Sequence, residues 1–155
     1  MTKYNKKALS MWNGWSRARN GSPVFDTWLD DYNDELNANK KDTILDLGCG
    51  IGADTSYLIQ KGYNVLSVDY SEESLKSIRE NIPGSKTQNV DMNSPLPFEN
   101  DSFYVIIADI SLHYFDEKTT ISLMNEIRRI LKTGGVLLAR VSSINDVYYG
   151  SRSGK

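Results

Sequence analysis

At 155 residues, with 39% hydrophobic and 25% charged residues, the chain suits a single domain that buries its own core, and no apolar run approaches a membrane span. A formal net charge of −2 and the lack of any Lys/Arg cluster with interleaved aromatics argue against nucleic acid as a primary partner. One cysteine and one histidine exclude an intrachain disulfide and a Cys/His zinc site, and without an apolar leader between Met1 and Trp12 the expected compartment is the cytoplasm.

The first forty residues hold all three tryptophans, two of them in Trp12-Asn13-Gly14-Trp15, followed by the turn-like Asn20-Gly21-Ser22-Pro23. Phe25, Trp28, Leu29, Tyr32 and Leu36 recur at helical spacing with acids between them, which predicts an amphipathic helix covering a core. Residues 1–42 thus read as a helical lid or cover. As a lid, Trp12 and Trp15 would face a substrate and Arg17 or Arg19 a carboxylate; as a cover, the segment would pack on the sheet edge.

From Thr43 the pattern becomes strand then helix, repeated. Thr43 to Leu47 predicts a short apolar strand, Gly52 to Lys61 a helix closed by Gly62, and Asn64 to Val68 a second strand. Ser71 caps the next helix, Glu72 and Glu73 complement its first turn, and Leu75, Ile78 and Ile82 form its apolar stripe up to Pro83-Gly84. Lys86 to Val90 is a third strand ending at Asp91. After a loop from Asn93 to Asp101, Phe103 to Ala108 reads as a central strand buried on both faces. Leu123, Met124, Ile127, Ile130 and Leu131 then stripe a helix that ends at Lys132-Thr133-Gly134-Gly135, before a fifth strand from Val136 to Val141. This alternation predicts an α/β fold, a doubly wound parallel sheet with right-handed crossovers and helices on both faces. The whole chain reads as one domain, with a core over residues 43–141 and an irregular tail over 142–155.

Between the first strand and the first helix of this core stand Gly48, Gly50 and Gly52, three glycines at alternate positions. Such a turn lets a ligand approach the main chain, and the following helix N-terminus favours an anionic group. Asp69 ends the second strand beside it and can accept hydrogen bonds from both hydroxyls of a ribose. Together they point to an adenosine-bearing cofactor. Gly48, Gly50, Ala53 and Asp69 also satisfy the dinucleotide spacing, so an NAD-binding oxidoreductase fragment is the rival. Asp46 weighs against a pyrophosphate and in favour of a cationic ligand.

Asp46-Leu47-Gly48-Cys49-Gly50-Ile51-Gly52 resembles the first motif of class I S-adenosylmethionine-dependent methyltransferases of the small-molecule type, and later segments match in order across residues 43–141. These are Val68-Asp69, Asp91-Met92, Ile107-Ala108-Asp109 and Leu131-Lys132-Thr133-Gly134-Gly135. The resemblance implies a Rossmann-like sheet of order 3-2-1-4-5, S-adenosylmethionine as cofactor and a small-molecule methyl acceptor. Gly48 to Gly52 would hold the methionine portion with Asp46 nearby, Asp69 the ribose, Tyr70 and Met92 the adenine faces, Asp91 the adenine amine, and Asp109 the end of the fourth strand. Cys49 belongs to the motif and is assigned no chemistry. Ser111, His113 and Tyr114 would line the acceptor pocket, with His113 either a general base or a structural ring.

Family members continue past the fifth strand with a helix and an antiparallel hairpin, whereas fourteen residues follow Val141. The chain is therefore expected to be truncated at its C-terminus and to lack the hairpin strands. The strand-five edge would then be covered by a homodimer contact or a partner, and a binding-only or partner-dependent domain is an alternative to an active enzyme.

Overall fold

The computed structural model describes residues 27–143. Trp12, Trp15, Arg17, Arg19 and Phe25 of the expected N-terminal segment, and the tail from residue 144 onward, lie outside the described residues.

Five parallel strands form one sheet of order β3-β2-β1-β4-β5: β1 (Thr43–Leu47), β2 (Asn64–Asp69), β3 (Lys86–Asn89), β4 (Phe103–Asp109) and β5 (Leu131–Arg140). The middle position belongs to β1. The strand expected to be central, β4, lies one place away but is interior, paired to β1 on one side and β5 on the other. Its run Phe103, Val105, Ile106, Ile107 and Ala108 is buried, as an apolar strand covered on both faces requires.

Helices occupy both faces because each strand presents apolar side chains alternately up and down. On one face, Ile44, Val65, Val105, Ile107 and Leu138 pack with Leu36 of α1 (Asn33–Ala38) and Tyr57 and Leu58 of α2 (Ala53–Gln60). There Leu75 and Ile78 of α3 (Glu72–Asn81) join Ile82 in a neighbouring cluster. On the opposite face Leu45, Leu47, Ile106 and Ala108 meet Leu123, Ile127 and Ile130 of α4 (Glu117–Ile130). Ser71 caps α3 as expected, its hydroxyl accepting the Ser74 N–H at 3.2 Å.

Three local differences from the sequence reading have physical causes. Over its described residues the expected first helix is split, a 3-10 turn, Trp28–Tyr32, running into α1. Met124, placed in the buried stripe of α4, is 41% exposed, since the stripe is satisfied by Leu123, Ile127 and Ile130. The turn Lys132 to Gly135 does not precede the fifth strand but bulges within it: Leu131 faces Phe103, the next pair is Val105 with Val136, and Gly134 takes φ of 78°.

The two-proline loop before β4 is clamped from α4. Arg129 donates to the carbonyls of Leu96 (3.0 Å) and Phe98 (2.7 Å), while Glu126 accepts the Leu96 N–H at 2.8 Å. Among the described residues no helix is long and apolar enough to cross a membrane.

Candidate functional site

All the turns that leave the carboxyl ends of β1, β2 and β4 meet at one rim of the sheet, and the candidate residues gather there. The glycine turn after β1 is built from the inside. The N–H groups of Gly48 and Cys49 both donate to the carbonyl of Val68 (2.8 and 3.0 Å), Gly50 donates to Asp69 Oδ2 at 3.0 Å, and Gly52 to the Cys49 carbonyl at 2.9 Å. The amides of Gly48, Cys49, Gly50 and Gly52 are thus engaged within the turn.

The absence of side chains serves different ends at the three glycines. A Cβ on Gly48 would stand 2.6 Å from Ser111 Cβ and 3.2 Å from the methyl of Met92, so that glycine lets the loops after β3 and β4 close in. On Gly52 a Cβ would meet Ile82 Cδ1 at 2.7 Å, so there the gap admits α3. Gly50, by contrast, has no atom within 4 Å of such a position and faces open space.

Asp69 joins this turn to the next. Besides Gly50, its carboxylate accepts the Ser71 N–H at 2.8 Å. Burial holds its carboxyl above the ordinary value, against the pull of these amides. Tyr70 is half-buried beside it, and Asp91, also half-buried, accepts the backbone and side-chain N–H groups of Asn93 at 2.9 and 2.8 Å.

Asp46 does not line the rim. It is 2% exposed, and its Oδ2 lies 2.6 Å from the Thr55 hydroxyl, which lies 2.7 Å from that of Ser67. Burial first, then the charge of Asp54, pushes its carboxyl up to about 8, with Asp109 and Asp69 adding smaller repulsions. An acid with a folded value above its unfolded one binds its proton more tightly when folded, so its contribution to stability is full at acid pH and is lost as pH rises from 3.8 towards about 8. Asp46→Asn is therefore expected to flatten the fall in stability across that window, as read by urea unfolding at pH 5 and pH 8.5. An unchanged slope would place the titration elsewhere.

Cys49 turns its side chain away from the rim, into the cluster of Leu75, Ile78 and Ile82. Burial, with help from Asp46 and Asp69, pushes its thiol well up, which leaves it protonated and unsuited to nucleophilic work.

The loop after β4 is tied down at two points. Ser111, expected at the acceptor, is 7% exposed and donates to the Leu47 carbonyl at 3.0 Å, bracing the end of β1. Asp109 is held by Arg140, with Nε to Oδ1 at 2.6 Å and Nη2 to Oδ2 at 2.9 Å. His113 and Tyr114 follow on a 3-10 turn, Leu112–Tyr114, their rings 4.0 Å apart between centroids, and both imidazole nitrogens are buried.

Sequence reasoning passed over Thr55, Ser67, Asp54, Trp28 and Arg140. The signal for Thr55 and Ser67 was present: hydroxyl residues in an apolar strand and a helix start, both on the side of Asp46. Trp28 was read as core, yet its indole N–H donates to Asp54 Oδ1 at 3.0 Å and its ring lies 4.6 Å beneath the Arg140 guanidinium.

A methyltransferase domain model matches residues 44–135, which takes in the glycine turn, Asp69, Asp91 and Asp109. The chain belongs to the methyltransferase domain family. Among relatives, it is 32% identical over 93 residues to an uncharacterized methyltransferase, sll0829, of Synechocystis sp., an alignment covering 60% of this chain and 43% of that protein. Among solved structures it resembles the PH0226 protein of Pyrococcus horikoshii, with TM-score 0.66, 23% identity, and 82% of this chain and 62% of that one covered. It also resembles phosphoethanolamine N-methyltransferase 1 of Haemonchus contortus, solved with phosphoethanolamine and S-adenosylhomocysteine, with TM-score 0.66, 19% identity, and 92% of this chain and 33% of that one covered. At these identities the two structures show the fold. The chain spans less than half the length of the curated methyltransferases it matches.

Proposed function

We propose that the rim binds S-adenosylmethionine and that the chain serves methyl transfer to a small molecule. The observation that carries this reading is electrostatic. Asp46, Asp54, Asp69 and Asp109 cluster around a turn whose glycine amides are bonded inward, and burial with the repulsion of its neighbours pushes the carboxyl of Asp46 up to about 8. Such a rim attracts a cation and repels a diphosphate. In this reading the methionine portion passes over the open face of Gly50, the ribose hydroxyls reach Asp69, Tyr70 and Met92 flank the adenine, and Asp91 accepts from its amine. Asp46 acts from below the turn as a buried acid whose ionisation a bound cation favours, and Asp109 acts from within its pair with Arg140.

The sulfonium supplies an already activated methyl group; the chain's own residues align the acceptor in line with the bond that breaks and keep water out. Calorimetry with S-adenosylhomocysteine and with NAD tests the cofactor: uptake of NAD alone would overturn the assignment in favour of an oxidoreductase fragment. Labelled methyl transfer to a metabolite extract separates an enzyme from a binding-only or partner-dependent domain.

His113 is proposed as the acceptor-side base. His113→Gln is expected to cut turnover about 100-fold, the usual scale of a general base, with S-adenosylhomocysteine affinity unchanged. Equal turnover would leave the imidazole a structural ring. Tyr114 belongs to the same wall, and Ser111 braces it from behind through the Leu47 carbonyl.

We also propose that the outer edge of β5, which pairs only with β4 among the described residues, is covered by a second copy of the chain. Light scattering at high micromolar concentration is expected to show a dimer, and a stable monomer would count against it.

A further inference from the structure

The chain leaves β4 through a turn that its own sequence does not favour. Ile110 has φ of 48°, a left-handed backbone that a β-branched side chain resists, and there is no glycine or asparagine to ease it. Something outside the turn must hold it.

That hold comes from the last residue of β5. The Arg140 carbonyl accepts the Ile110 N–H at 2.9 Å, and the Arg140 guanidinium grips both oxygens of Asp109, the residue before it. A fork-to-fork pair of this kind fixes orientation as well as distance. The guanidinium is itself braced on the Trp28 ring, whose N–H is tied to Asp54 at the start of α2. One residue further along the turn, Ser111 meets the Leu47 carbonyl and fills the space beside Gly48.

We propose that Arg140 is a positioning residue: by gripping Asp109 and Ile110 it holds the strained turn that sets Ser111 against Gly48 and so shapes the wall of the cofactor pocket. The affinity consequence rests on the function proposed above; the conformational one does not. The fork is essential to this role, because a lysine would restore the charge as a point without its orientation.

The test uses the full chain with Arg140→Gln and Arg140→Lys, read by amide hydrogen exchange at Ile110 and by calorimetry with S-adenosylhomocysteine. Both variants are expected to exchange the Ile110 amide at least about tenfold faster, and to raise the dissociation constant about tenfold with stoichiometry still near one, the scale of one lost charge-assisted bond. Adding Asp109→Asn to Arg140→Gln should not rescue either value. Three results would overturn the proposal: wild-type exchange in both variants, wild-type behaviour in Arg140→Lys, or a fall in stoichiometry at unchanged affinity, the mark of partial unfolding alone. Rescue by Asp109→Asn would likewise reduce the role to charge neutralisation. If Arg140→Gln does not fold, Arg140→Lys carries the same comparison. A wild-type protein that ignores S-adenosylhomocysteine would sink the proposed function, while the exchange arm would still decide the role of Arg140.

Discussion

Asp69→Ala is expected to weaken S-adenosylhomocysteine binding by two orders of magnitude or more in calorimetry. A ribose presents two adjacent hydroxyls, and each hydrogen bond to an ionised carboxylate contributes about 1.5–3 kcal/mol, so losing both amounts to roughly 100-fold at the least. Asp69 also accepts the N–H groups of Gly50 and Ser71, so its removal loosens the turn that the ligand would cross. The two effects can be separated with a 2′-deoxy analogue. If the carboxylate reads both hydroxyls, the analogue binds the wild type about tenfold more weakly than the natural ligand and, with only its 3′-hydroxyl left to lose, falls about tenfold less on Asp69→Ala; if the turn alone matters, natural and deoxy ligands lose equally. Asp69→Asn keeps the shape and one acceptor, and an intermediate loss is expected. An alanine variant within threefold of wild type would remove Asp69 from the site.

The scaffold of this site was legible because it rests on periodicity and on turn chemistry close in sequence. Continuous apolar runs such as Phe103 to Ala108 mark interior strands, and Ser71 with Glu72 and Glu73 marks the start of a helix. Gly48 to Gly52 and Asp69 stand where a topology of parallel strands brings two carboxyl ends side by side. Assigning the roles of individual polar side chains was harder, because their partners are distant in the chain. Ser111 looks like an acceptor-facing hydroxyl from its place after β4, but it bonds a carbonyl 64 residues away. Asp109 reads as a free acid at a strand end until β5 returns Arg140 to it from 31 positions on. Asp46 is the most instructive. It reads as a fixed charge beside a ligand, yet the strand's alternation turns it inward to Thr55, where burial pushes its carboxyl up to about 8.

The glycine turn allows a sharp contrast between two positions that the sequence treats alike. Gly48→Ala is expected to lower stability by about 3 kcal/mol and the melting temperature by roughly 10 °C, because overpacking and a left-handed backbone act together. Its new Cβ would sit 2.6 Å from Ser111 Cβ at φ of 78°, and the Ser111 loop, bonded to Leu47 and anchored through Asp109, has little freedom to retreat. Gly50→Ala has only the backbone term, about 1 kcal/mol at φ of 52°, since no atom lies within 4 Å of the added carbon. That open space is where the cofactor is proposed to pass over the main chain, so Gly50→Ala should fold nearly as well as wild type and bind S-adenosylhomocysteine at least about tenfold more weakly. Combining Gly48→Ala with Ser111→Gly should return part of the lost stability by relieving the contact, though not all, because the left-handed backbone remains. Thermal unfolding and calorimetry on the same four proteins give the answer: were Gly50→Ala to bind like wild type, the open face of the turn would not be the ligand's path, and were Gly48→Ala to melt like wild type, the loops after β1 and β4 would not be packed as described.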